Sequence, residues 1–125
     1  MHTPHEQLEA MRGLAENWDG YGAAPPQAAV IDLAQEFASF LQAALRKANS
    51  DAATLHVSPT RVGGVLIEWE DSARQHELEI HPEDGISFLH LVKATGQVTT
   101  RRFSPGGGGV VDPGLLDELR QVLAA

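Results

Sequence analysis

Hydrophobic and polar residues alternate with a period of two through the middle of the chain. Five such segments lie between residues 55 and 103: LHVSPT, GVLIEWE, QHELEIH, ISFLHLV and QVTTRRF. Three of the four turns between them end in Gly. A period of two is typical of a strand with one buried face and one wet face. Connections of a few residues join antiparallel neighbours and are too short for parallel crossovers. The pattern therefore predicts a five-stranded antiparallel meander.

The same alternation assigns residues to the two sides of this sheet. Val65, Ile67 and Trp69 fall on the side predicted to be buried, as do His76, Leu78 and Ile80 in the next segment. The opposite side is acidic and carries Glu68, Glu70, Glu77 and Glu79. Residues 86–92 are apolar on both sides, which predicts that this fourth strand lies at the centre of the sheet or beneath a second layer. For Arg101 and Arg102, the alternation leaves open which one faces the glutamates.

Two helices are predicted before the sheet. Thr3 at the N-cap, Pro4 at the first helical position and Glu6 at the third begin a helix that we expect to end near Asn17. A second helix, residues 26–48, begins at a proline and has one apolar stripe: Val30, Leu33, Phe37, Leu41, Ala44, Leu45 and Ala48. In this helix Ile31, Ala34, Ala38 and Phe40 widen the apolar surface beyond that stripe.

A third helix is predicted at the C-terminus, residues 112–124, after four consecutive glycines. The fold class is thus α+β: two N-terminal helices, a five-stranded antiparallel meander sheet and a C-terminal helix on a Gly-rich tether. One domain spans residues 1–125, with residues 1–4 expected to be disordered and residues 104–111 a flexible tether. The tether lets the last helix cover its own sheet or a neighbouring subunit, and we expect a homodimer, with docking inside a monomer as the alternative.

Between the first two helices lies the segment NWDGYGA, residues 17–23. Together with Pro25-Pro26, a long helix, Gly63-Gly64 and a strand ending in Glu68-Trp69, it resembles a family of small uncharacterised bacterial proteins. The resemblance covers residues 10–91. It implies a shared fold and a bacterial source, and it implies no chemistry.

The aromatic residues of this segment have two interpretations. Trp18 and Tyr21 on a Gly-rich loop are typical anchors of a protein interface. The same rings can instead pack on the loop's own helix or sheet edge while Asp19 closes a turn, and we prefer this structural interpretation.

Charge and composition exclude several classes of function. The chain has 125 residues, a net charge of −8 and no cysteine. An acidic field opposes binding to nucleic acid or to anionic lipid, and it favours a basic protein partner. Without cysteine there are no disulfides, thiolate nucleophiles or cysteine zinc sites. The first 20 residues have no apolar core of a signal peptide, and no apolar run is long enough to span a membrane, so we expect a cytoplasmic protein.

Candidate catalytic groups are few, and each has a structural alternative. His81, Glu79 and Glu77 share one strand face and are candidates for metal binding, but alternating charges on a wet strand need no ion. The glycines at 106–109 lack the Lys and Ser/Thr of a phosphate-binding loop. There is no Gly-x-Ser-x-Gly segment, and no Ser beside a defensible His and Asp order. We therefore expect no cofactor, no metal and no catalytic residues.

The favoured function is a non-catalytic protein-interaction module: a regulatory, antitoxin-like or immunity-like partner of another bacterial protein. Its expected partner-binding residues are Trp18, Asp19, Tyr21, Glu68, Glu70, Glu77 and Glu79. The alternative is a small hydrolase or metal-binding enzyme that uses the acidic and histidine-bearing sheet face.

Overall fold

The two helices precede the sheet in the chain, as predicted. A computed structural model describes residues 3–47, 55–82 and 85–103. The helices are α1 (Pro4–Met11) and α2 (Ala28–Lys47), and the strands are β1 (His56–Pro59), β2 (Val65–Glu70), β3 (Arg74–His81), β4 (Gly85–Val92) and β5 (Gln97–Phe103). This confirms two helices and an α+β class. The predicted tether and C-terminal helix lie outside the described residues.

The five strands form one antiparallel sheet in the order β1-β2-β3-β4-β5. β3 is therefore the central strand, and the prediction that β4 lies at the centre is wrong. A meander places each strand beside its neighbours in sequence, so the third strand is central whatever its composition. The apolar outer residues of β4, Leu89 and Leu91, are half-buried on the outer face, opposite Glu77 and Gln75.

The core lies between α2 and the inner face of the sheet. Val65, Ile67 and Trp69 are buried on that face, as the alternation predicted. The strand register shows that this inner face continues from β2 to β4, because Ile67 stands opposite Leu78 and Leu78 stands opposite Phe88. Arg101 pairs with Phe88 and so belongs to the inner face, whereas Arg102 pairs with Ser87 on the outer face with the glutamates.

The buried face of α2 is rotated relative to the predicted stripe. Ile31, Ala34 and Ala38 are completely buried, while Leu33 is only half-buried. The small residues Ala34 and Ala38 allow the helix axis to approach the sheet closely, and the larger Phe37 and Leu41 are buried in the same core. Within the described residues, no helix is both long and apolar enough to cross a membrane.

The first helix is shorter than predicted. The Thr3 side chain accepts a hydrogen bond from the Glu6 amide at 3.1 Å, which confirms the expected N-cap. The helix ends at Met11 rather than near Asn17, because Gly13 follows and disfavours helix continuation. Leu14 lies in the turn after the helix and still packs against the core. An apolar residue at this position therefore indicates burial and does not require a helix.

Gly64 is the glycine with the closest backbone neighbour, and it gives the first testable prediction. A Cβ at this position would lie 2.4 Å from the Ile80 carbonyl oxygen and 3.0 Å from Thr60 Oγ1. Gly64→Ala must therefore separate β2 from β3 locally, and we expect a loss of about 1 to 3 kcal/mol in the free energy of unfolding. Urea denaturation measures this value.

Gly13→Ala is the matched control, because its Cβ would meet nothing nearer than 3.6 Å. Its effect should stay within about 0.5 kcal/mol. Equal effects of the two substitutions would contradict the close strand approach at Gly64.

Candidate functional site

The loop between α1 and α2 is closed by its own hydrogen bonds. Asn17, Gly20 and Gly22 have positive φ angles of 63°, 77° and 85°. Glycine takes this conformation without strain, and asparagine is one of the few other residues that visit it. The Asn17 amide donates to the Ala23 carbonyl at 2.8 Å, and Asn17 Oδ1 accepts from the Gly22 amide at 2.6 Å. The positions of Asn and Gly in the sequence thus determine the path of this loop.

Asp19 is the centre of the loop's polar contacts. Its Oδ1 accepts from the amides of Tyr21 at 2.8 Å and Ala23 at 3.1 Å, and its Oδ2 accepts from Arg61 Nε at 2.9 Å. Desolvation alone would raise the pKa of Asp19, but the two amides and the Arg61 guanidinium outweigh it and hold the pKa below its usual value. The ionised carboxylate therefore joins the loop to the turn after β1.

Trp18 is half-buried and belongs to the same internal network. Its Nε1 donates to the Ala24 carbonyl at 2.9 Å. The Ala24 amide in turn donates to the Arg61 carbonyl at 2.9 Å, and Ala24 forms a parallel bridge with Val62. Both Trp18 and Asp19 thus have contacts that support the structural interpretation of the loop. Whether they also touch a partner stays a prediction.

Tyr21 points away from this network. Tyr21 is 82% exposed, and Val62, which is bridged to Ala24, is 64% exposed. Arg61 Nη2 donates to the Tyr21 carbonyl, so Arg61 holds the tyrosine's backbone while much of its own side chain remains accessible. We call Tyr21, Arg61 and Val62 the loop tip. It combines an aromatic ring, a guanidinium and an aliphatic group on a backbone with defined hydrogen bonds.

The acidic outer face is divided into paired and unpaired carboxylates. Glu70 forms an ion pair with Lys93 at 2.8 Å, and this contact lowers the pKa of Glu70. Glu68 stands directly opposite Glu77, and like charges in directly opposed strand positions are destabilising. The structure therefore places all four predicted glutamates on one face, and it leaves Glu68 and Glu77 without an ion pair among the described residues.

A Ser–His–Glu cluster lies on the same outer face. His81 Nδ1 is 3.1 Å from Glu79 Oε2, and His81 Nε2 is 3.0 Å from Ser87 Oγ. Glu79 and Ser87 are directly opposed on β3 and β4, and His81 stands opposite Gly85. The sequence prediction had grouped His81 with Glu79 and Glu77. It dismissed the serines for lack of a suitable His and Asp order, because only the strand register shows that Ser87, six positions later, lies beside the imidazole.

A row of stacked rings lies on the inner face of the sheet. Trp69 and His76 have ring centroids 4.9 Å apart, as do His76 and His90, whose planes differ by only 3°. Among the described residues no partner reaches either nitrogen of His76, nor Trp69 Nε1 or His90 Nε2. The pKa of His76 is lowered to about 4, chiefly by burial and in addition by neighbouring His90 and Arg74, while Asp71 partly opposes them.

This row does not have the geometry of a metal site. A metal ion lies in the plane of each imidazole that binds it, and two stacked, nearly parallel rings share no such point. Across the part of the chain that the structure describes, no three His, Asp or Glu side chains are grouped to hold an ion.

Comparison with known proteins assigns no family to the chain. No family model, curated protein or solved structure matches it. The resemblance of residues 17–23 to a bacterial family therefore stays a prediction. The features of the molecule that bear on its function are the loop tip and the outer face.

Proposed function

We propose that this protein is an interaction module that binds another protein through its loop tip. The observation that carries the proposal is Tyr21, which is 82% exposed at the end of a loop held by internal hydrogen bonds. Tyrosine and arginine are enriched among the residues that dominate interface energies. A pre-organised loop also loses little conformational entropy when it binds.

Within this proposal the residues of the loop have different roles. Trp18 and Asp19 hold the backbone, and the Tyr21 ring, the Val62 side chain and the accessible part of Arg61 contact the partner. The net charge of −8, with Glu68, Glu70, Glu77 and Glu79 on one face, favours a partner with a basic surface. A regulatory, antitoxin-like or immunity-like protein that acts on another bacterial protein fits this description. Such a binding role requires no catalytic group.

The test is quantitative affinity capture from an extract of the source cells. Immobilised full-length protein should retain a specific protein, and Tyr21→Ala should lower the retained amount at least about tenfold, as expected for a central aromatic anchor. Asp19→Ala should also weaken retention, because it removes the hydrogen bonds that orient Tyr21.

Val98→Ala is the matched control, since Val98 is also an exposed apolar side chain, at 53%, but lies on β5 away from the loop. Retention by this variant should equal that of the unchanged protein. Loss of the same protein from the Val98 variant, or its full retention by Tyr21→Ala, would contradict a role for the loop tip.

A further inference from the structure

The outer face of the sheet carries a hydrogen-bonded chain from a hydroxyl through an imidazole to a carboxylate. The two distances, 3.0 Å from Ser87 Oγ to His81 Nε2 and 3.1 Å from His81 Nδ1 to Glu79 Oε2, are those of a nucleophile, a base and a group that orients the base. We propose that Ser87, His81 and Glu79 form a nucleophilic site that takes acyl groups from small esters. The inference goes beyond the proposed binding function and does not depend on the loop tip.

The contacts of His81 determine where its proton lies. An ionised carboxylate only accepts hydrogen bonds, so His81 Nδ1 carries the hydrogen that reaches Glu79. In the neutral imidazole Nε2 is then the acceptor, and the Ser87 hydroxyl is the donor. This is the tautomer that removes a proton from serine.

The strand register explains why these three side chains meet. Glu79 and His81 are two residues apart on β3 and therefore share a face, and Ser87 on β4 stands directly opposite Glu79. The position opposite His81 is Gly85. Because Gly85 has no side chain, the imidazole has room to turn along β4 toward Ser87.

A cation stands on the other side of the serine. Arg102 on β5 is directly opposed to Ser87 on the outer face, and its side chain is exposed. Within the described part of the chain it has no ion pair. A guanidinium at this position stabilises the negative charge that develops on a carbonyl oxygen during attack. Arg101, the next residue, lies on the inner face and cannot take this role.

The reaction that follows is a balanced acyl transfer. Ser87 Oγ attacks the ester carbonyl, a C–O bond forms, and the hydroxyl proton moves to His81 Nε2 while Glu79 stabilises the imidazolium. The carbonyl–alkoxy bond then breaks, the leaving group takes the proton from His81, and acyl-Ser87 remains. Water activated by His81 hydrolyses this ester and releases the acid.

The surroundings limit the substrate class. Leu66 lies across from Glu79, and Leu89 is the next outer residue after Ser87 on β4. Leu89 is therefore the apolar neighbour of the serine along β4, and Leu66 lies beyond Glu79 on β2, so the site is on an open sheet face with little apolar cover. Small, activated acyl esters fit such a site, because their reactivity does not require a deep binding cleft.

The test is covalent labelling of the full chain with an alkyl fluorophosphonate. Ser87 Oγ displaces fluoride from phosphorus and His81 takes the hydroxyl proton, so mass spectrometry should find one adduct, mapped to Ser87. Ser87→Ala should abolish the adduct, and His81→Ala should slow labelling at least about a hundredfold, the usual contribution of a general base. Hydrolysis of p-nitrophenyl acetate should depend on Ser87 and His81 in the same way as labelling.

Two matched pairs of variants separate catalysis from folding. Ser58→Ala, which changes another half-buried serine on the outer face, and Arg101→Gln should label at the rate of the unchanged protein. Arg102→Gln should be slower by about tenfold. Glu79→Gln tests a positioning residue: it should slow labelling and alter its pH dependence while the circular dichroism spectrum stays the same.

Several results would overturn the proposal. These are the absence of an adduct, an adduct on another serine, or equal labelling rates for His81→Ala and the unchanged protein. The cluster would then be only a polar clamp between β3 and β4. Failure here leaves the loop-tip proposal intact, because Tyr21 plays no part in the labelling experiment.

Discussion

Replacing Trp69 by alanine is expected to lower the free energy of unfolding by about 3 to 5 kcal/mol. The indole is only 2% exposed, stacks on His76 at 4.9 Å and contacts Phe88 with centroids 6.1 Å apart. Its removal leaves a cavity in the core that the neighbouring rings of β3 and β4 cannot fill without moving. Urea denaturation followed by far-ultraviolet circular dichroism measures the change, since the signal must not depend on tryptophan.

Trp69→Phe is the informative control. Among the described residues Trp69 Nε1 is buried without a hydrogen-bond partner, and phenylalanine keeps most of the ring while removing that donor. Trp69→Phe should therefore lower the free energy of unfolding clearly less than Trp69→Ala does. A loss below about 1 kcal/mol for Trp69→Ala would contradict the central position of this side chain.

Acidification from pH 6.5 to pH 4 is expected to destabilise the fold by at most about 3 kcal/mol through His76. Its pKa is about 4 in the folded chain, where it is 3% exposed, against 6.5 for the free side chain. Below pH 6.5 the unfolded chain binds a proton at this site and the folded chain does not. The stability contribution is therefore complete above pH 6.5 and decreases steadily as the pH falls to 4.

The variant that isolates this effect is His76→Phe, which keeps a ring in the stack and cannot be protonated. Its unfolding free energy should change less between pH 6.5 and 4 than that of the unchanged chain. The lowered pKa values of Asp19 and Asp71 have their effect at more acid pH, because the unfolded carboxylates bind protons only near pH 3.8 and below while the folded ones stay ionised. Identical pH profiles for the two proteins would show that His76 is not buried as a neutral base.

The sequence was most informative in the strands, where buried and exposed residues alternate with a period of two. The alternation around Trp69 and the short turns were enough to predict all five strands and the inner face. The apolar outer residues Leu89 and Leu91 predict that β4 is central or lies beneath a second layer, and the central position is wrong because β3 occupies it. The predicted first helix was also too long, because Leu14 is apolar through its contact with the core and not because it belongs to α1.

The candidate sites depended on contacts that sequence patterns do not show. Asp19 was predicted to close a turn, but its bond to Arg61 joins residues 42 positions apart. The Ser87 contact depends on the register of β3 and β4, and a slip of one residue would send the serine to the other face. Tyr21 was predicted from its place beside Trp18 on a Gly-rich loop. Its exposure becomes meaningful only because the surrounding loop is held by hydrogen bonds.

Site-specific photo-crosslinking at position 21 tests the proposed binding function most directly. Tyr21 is replaced by a photoreactive phenylalanine analogue in full-length protein within the source cells, and Val98 is replaced in the same way as a control. We expect one discrete crosslinked species of defined mass from position 21, and none of that mass from position 98, because the proposal places the partner's main contact at the loop tip and Val98 lies away from it on β5. Absence of the species at position 21, or the same species from both positions, would contradict the account.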